Sequence, residues 1–159
     1  MERLFILYNF YMKEVAVMQN VLNFVFPTMS TMVQQITEGV SIMVETFYQP
    51  SQSNPFRSEH LFAYRITIEN LTIYPVKLIS RHWHIKDSNG THREVEGEGV
   101  VGQQPVIQPG DSYQYTSGVN LNTDIGKMYG TYLMENLFNK KKLTIAIPEF
   151  RLVAPAKLN

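Results

Sequence analysis

The chain has 159 residues, a length that suits one domain. Its 14 basic residues balance 14 acidic ones, so no field of one sign points to nucleic acid or to an anionic membrane surface. It contains no cysteine, which excludes disulfides, thiolate metal sites and cysteine nucleophiles and suits a reducing, cytoplasmic compartment.

Residues 1–31 read as an amino-terminal extension to a domain covering 32–159. Apolar residues from Leu4 to Phe26 would cover every face of a helix. Lys13-Glu14 and the amides Gln19, Asn20 and Asn23 break the apolar run. The segment therefore fits neither a secretory signal nor a membrane span of about 20 residues. Two readings stay open: a start assigned too far upstream, with Met29 or Met32 as the true first residue, or a helix that packs on the domain or on a partner.

Beyond Met32 the hydrophobic period becomes two. Val40–Tyr48 alternates in this way. In Leu61 to Asn70, Phe62, Tyr64, Ile66 and Ile68 share one face, while Ala63, Arg65, Thr67 and Glu69 share the other. This is the pattern of a half-buried strand. Asn70-Leu71-Thr72 to Pro75 is a turn, and Val76–Asp87 is the next strand, with Ile79, Arg81, Trp83 and Ile85 expected on its core face. Trp83 suits a core. Arg81 must carry its guanidinium to the rim or meet an acceptor, because an unpaired buried charge is costly.

His82 and His84 lie two apart and so face away from Trp83. With His92, Glu94 or Glu96 on a neighbouring strand they would offer a nitrogen and oxygen donor set. An H-x-H pair alone lacks the ligand count of a closed site, so His82 and His84 are weak candidates and no metal is assigned. Asp87-Ser88-Asn89-Gly90 predicts a hairpin, with Asn-Gly in a type I′ turn.

Gly97-Glu98-Gly99-Val100-Val101-Gly102 spells G-x-G-x-x-G. A dinucleotide site needs a helix directly after this string, and Pro105 and Pro109-Gly110 leave no room for one. The glycines then allow a sharp crossing between sheets. Alternatively Gly97, Gly99 and Gly102, with Arg81, form a loop that takes a small anion such as phosphate, or a partner. Pro109-Gly110-Asp111 marks a further turn. Tyr113, Tyr115 and Tyr132 are expected to form an exposed aromatic patch for a protein partner. Asn139 and Lys140–Lys142 make a solvated basic connection before a last strand at Leu143–Ile147.

Seven or so short strands without an amphipathic helix predict an all-β fold, an antiparallel two-layer sandwich. Hydrophobic contacts alone are expected to hold its sheets together. No nucleophile elbow, zinc-protease or P-loop string occurs, and Ser112 and Ser117 have no assignable base. The expectation is a protein that is not an enzyme and needs no cofactor.

Longer strings carry a family resemblance. Ser80-Arg81-His82-Trp83, Asp87 and Gly90 lead into Glu94-Val95-Glu96-Gly97-Glu98-Gly99-Val100-Val101-Gly102. Gln104-Pro105, Pro109-Gly110, Tyr115-Thr116-Ser117-Gly118, Gly126, Met128, Gly130 and Tyr132 continue it, and Ile147-Pro148 with Phe150-Arg151-Leu152 closes it. From about Val33 to Pro155 the chain resembles the ApaG family, also described as the DUF525 domain. The resemblance implies an immunoglobulin-like or fibronectin-III-like sandwich and a genetic association with cobalt and magnesium tolerance. It also implies a protein-interaction role, as in the related domains of eukaryotic F-box and polymerase-delta-interacting proteins. The sequence departs from the family pattern at His84, where an aliphatic residue is expected, and in its amino-terminal extension. The expected partner is another protein, neither nucleic acid nor membrane, and edge strands also permit a homodimer.

Overall fold

The computed structural model describes residues 31–155, so the extension expected at 1–31 lies almost wholly outside the described residues. Nine strands follow one another: β1 (Thr31–Thr37), β2 (Val40–Tyr48), β3 (His60–Asn70), β4 (Val76–Asp87), β5 (His92–Glu98), β6 (Val106–Ile107), β7 (Ser112–Leu121), β8 (Ile125–Asn136) and β9 (Lys142–Val153). Two single 3₁₀ turns, Pro50–Gln52 and Pro55–Arg57, join β2 to β3. Every pairing is antiparallel. One sheet runs β1-β2-β3-β7 and the other β5-β4-β8-β9, with β6 on the same edge of β4 as β5. No helix among the described residues is long and apolar enough to cross a membrane.

The alternation read from the sequence places the core. Ile42, Val44, Phe62, Tyr64, Ile66 and Ile68 from the first sheet meet Leu78, Trp83, Ile85, Met128, Met134, Ile145 and Phe150 from the second. Trp83 is the hub of an aromatic cluster. Its ring lies edge-on to Tyr64 at 5.6 Å, to Phe150 at 5.9 Å and to Tyr132 at 6.3 Å. Contacts of this kind contribute about 0.5–1.5 kcal/mol each beyond the area they bury.

Three local expectations need correction. Ile79 does not share the core face of Trp83. A register shift between Leu78 and Ser80 marks a β-bulge, so Val76 and Leu78 point inward on one side of it, and Trp83 and Ile85 on the other. The last strand does not stop at Ile147. It runs through Pro148 to Val153, because β9 is an edge strand and its register breaks opposite Tyr129, where no ladder hydrogen bond is asked of proline.

The third concerns the β4–β5 hairpin. Asp87 N–H donates to Thr91 O at 3.0 Å, so the loop is the three residues Ser88-Asn89-Gly90, and of these only Gly90 has positive φ. It is the three-residue form with glycine in the left-handed position, not a type I′ turn.

Candidate functional site

The extra turn residue decides which side chains meet across β4 and β5. With three residues in the loop, Lys86 pairs with His92, His84 with Glu94 and His82 with Glu96. A two-residue turn at Asn89-Gly90 would slide the register by one and oppose both histidines to Val95 and Gly97. The bulge at Ile79 sets the phase in the other direction. It turns the even-numbered residues of β4 outward beyond that point, so His82 and His84 leave the core face on which Leu78 lies.

The outer face of the second sheet therefore holds a compact donor cluster. His82 Nε2 lies 2.9 Å from Glu94 Oε2, and His82 Nδ1 lies 3.4 Å from Glu96 Oε1. His84 Nδ1 is 3.5 Å from Glu94 Oε1 and 3.3 Å from His92 Nε2, which is itself 3.8 Å from Glu94 Oε1. The His84 ring is stacked between His92 and Tyr129, at 5.4 and 4.9 Å. The His82 hydrogen bond holds the Glu94 carboxyl below the usual carboxylate range; slight burial opposes this, and the nearby imidazoles add to it. Beside the cluster lies an open depression lined by Ser80, His82, Glu96, Glu98, Thr131 and Leu133.

The glycine string occupies a different place. Gly97, next to last in β5, lies opposite Arg81, and a Cβ there would sit 3.0 Å from the guanidinium. Val100 and Gln103 exchange both backbone hydrogen bonds, at 2.8 and 2.9 Å, around a turn whose central residues Val101 and Gly102 both have positive φ. Gly99 N–H donates to Ile79 O at 2.8 Å, and Gln104 Nε2 donates to the same oxygen at 2.8 Å. Arg81 Nη1 donates to the carbonyls of Glu98 and Gly99 at 3.1 and 2.9 Å. The amides of Gly99, Val100 and Gln103 are thus engaged within the fold. Gly97, Gly99, Gly102 and Arg81 are together in space, arranged so that the loop caps the bulge and the guanidinium caps the loop.

The expected tyrosine patch is not a surface. Tyr115 is 8% exposed and Tyr132 0%, and their hydroxyls share a hydrogen bond of 2.5 Å between the sheets. Alternation along β7 and β8 points both inward, and the phenols tolerate this because each hydroxyl supplies the other's partner. Tyr113 lies at the margin and donates to Gln103 Oε1 at 3.2 Å. The same pair corrects the expectation that hydrophobic contacts alone join the layers.

The exposed apolar surface that the sequence did not reveal lies at one pole. There Asn70, fully buried, donates from Nδ2 to Tyr74 O at 2.8 Å and to Ile107 O at 3.0 Å. Its Oδ1 accepts from Thr72 N and Thr72 Oγ1. Asn136 Oδ1 accepts from the amides of Phe138 and Asn139. These two asparagines fix loops that present Leu71, Ile73, Val106 and Phe138 to solvent, with Ile73 77% and Phe138 71% exposed. Phe138 stacks on Tyr74 at 4.6 Å. The signal in the sequence was an apolar residue inside each turn segment, which composition alone assigns to a polar loop.

Comparison with known proteins supplies the frame. The ApaG domain (DUF525) family model matches residues 50–136. Protein ApaG of Pectobacterium carotovorum is 44% identical over 120 residues, covering 76% of this chain and 95% of the relative. Protein ApaG of Brucella canis is 45% identical over 124 residues, covering 78% and 95%. A crystal structure of an ApaA protein from Bordetella pertussis superposes with a TM-score of 0.71 at 42% identity, over 74% of this chain and 94% of that one. The matched segment contains β3, β4, β5, the glycine loop and β8, so shared sequence and shared fold cover the same elements, and the chain belongs to the ApaG family.

Proposed function

We propose that this domain is a non-enzymatic, cytoplasmic protein-interaction module, and that it docks its partner at the pole formed by Leu71, Ile73, Val106 and Phe138. The observation that carries the reading is that pole. Four large apolar side chains are exposed at this end of the sandwich, on loops and on the two-residue strand β6, which buried asparagine hydrogen bonds hold. Exposed apolar clusters on an otherwise balanced surface mark interaction sites, and a preset surface loses little entropy on binding. The stacked Tyr74–Phe138 pair supplies the aromatic anchor that such interfaces favour. Glu38 and Lys141, ion-paired at 3.5 Å, give the polar rim.

The test is a photo-crosslinking amino acid placed at position 138 in the native host, with position 56 as control. Phe56 is even more exposed but sits at the opposite end of β2 and β3. A discrete adduct from position 138, absent from position 56 and lost when Ile73→Asp is added, is the expected result. Equal labelling from both positions, or none from 138, overturns the reading.

A further inference from the structure

Three of the chain's four histidines converge on the outer face of β4 and β5, and the fourth, His60, is buried in the first sheet. Three donor atoms there, His84 Nδ1, His92 Nε2 and Glu94 Oε1, form a triangle with sides of 3.3, 3.5 and 3.8 Å. Metal–ligand bonds of about 2.0–2.1 Å at tetrahedral angles place neighbouring donors about 3.3 Å apart, so the triangle is close to one face of a zinc coordination tetrahedron. We propose that His84, His92 and Glu94 form a binding site for a divalent transition ion of the zinc class.

The donor chemistry selects that class. Two imidazoles and one carboxylate suit zinc or nickel; an all-oxygen set would suit magnesium or calcium instead. Glu94 Oε1 faces the triangle, while its Oε2 is held by His82, whose other ring nitrogen faces Glu96. His82 is therefore a positioning residue: it turns the carboxylate, as outer partners commonly do around bound metals. Tyr129 stacks on the far side of His84 and fixes its ring plane. Lys86 stands opposite His92 but carries its ammonium over the Tyr129 ring, 5.4 Å from its centroid. The fourth position faces solvent, so the site is open, unlike a structural zinc site with four protein ligands.

This inference stands apart from the apolar docking surface at the pole, which shares none of its residues. Its test is calorimetric titration of the full chain with zinc chloride, beside His92→Ala, Glu94→Gln and His82→Ala. His92 and Glu94 are exposed, so both variants keep the fold, which thermal unfolding verifies. Glu149→Gln, an exposed carboxylate paired with Lys127, is the control. Saturation at one ion per chain is expected, with affinity falling about tenfold or more in each of the three cluster variants and unchanged in the control. No saturable heat in the wild type, or affinities within about twofold of it for His92→Ala and Glu94→Gln, overturns the site. In the first case no ion binds, and in the second it binds elsewhere.

Discussion

Tyr115 and Tyr132 each carry a hydroxyl into the space between the sheets, and burial is the main reason both resist ionisation more than a free phenol does. An unfolded chain releases these protons near pH 10, whereas the folded one keeps them. Their contribution to stability is therefore complete below about pH 10 and lost as the pH rises beyond it. In that range each tyrosine lowers the unfolding free energy by about 1.4 kcal/mol per pH unit until the buried hydroxyl itself ionises. Urea unfolding from pH 9 to 11 checks this, and the double variant Tyr115→Phe/Tyr132→Phe is expected to show a shallower decline. An equal slope in both proteins contradicts it. The sequence made these two residues look like surface aromatics because a phenol is compatible with either environment. Alternation gives the face of a strand but not the partner that makes a buried hydroxyl acceptable.

At the scale of the element, β4 was legible from Val76 to Asp87 and its turn was not. Period-two patterning is written in the strand itself, and β2 and β4 have the bounds the sequence predicts. The bulge at Ile79 has its cause about twenty positions later, in Gly99 and Gln104, whose donors cap the Ile79 carbonyl. No local window contains both halves. The hairpin is a gentler case. Asn-Gly was a correct sign of a turn, but the pairing of Asp87 with Thr91 is set by the ladder on both sides. The donor cluster on His82, His84 and Glu94 followed from H-x-H facing H-x-E-x-E, and only the register could bring it together. Deleting Ser88 is expected to leave a two-residue Asn-Gly turn closed by the same Asp87–Thr91 pair. His84 would still face Glu94. Two-dimensional NMR should show folded β5 amides with the Lys86–His92 and His84–Glu94 cross-strand contacts retained; a new pairing of His84 with Val95 would show that the three-residue loop, not the strand, sets the register.

For the whole molecule, Asn70 ties together segments that belong to both sheets. Its side chain joins the end of β3 to the 71–75 connection and to β6, and its backbone meets Gly110 and Asp111. Asn70→Ala leaves several buried polar groups without partners and is expected to cost about 3 kcal/mol by urea denaturation. A loss below about 1 kcal/mol would mean that water replaces the amide. The same variant should loosen the loops that carry Ile73 and Phe138, and so lower crosslinking from position 138 before the domain unfolds. On the opposite side of the sandwich, Arg93 of edge strand β5 donates to the Asn120 carbonyl of edge strand β7, which closes the layers where no strand crosses. The two-sheet architecture was readable from strand number and turn chemistry. The pole was not, because its apolar residues lie in turns and in a strand of two residues, where periodicity has nothing to repeat.

The bulge at Ile79 also governs how the gene can change. Upstream of it the inward positions of β4 are even-numbered, and downstream they are odd-numbered, so the strand is read in two frames joined at one residue. Loss of that single codon would merge the frames into one regular alternation, with Leu78, Arg81 and Trp83 still inward and His82 and His84 still outward. What would go is the Ile79 carbonyl that accepts from Gly99 and Gln104, so the lesion falls on the loop and spares both faces. With the upstream half anchored, a codon lost at residue 82 would instead turn Trp83 outward and His84 inward. The extra codon at 79 and the Gly99–Gln104 loop are therefore a single unit of inheritance, kept or lost together.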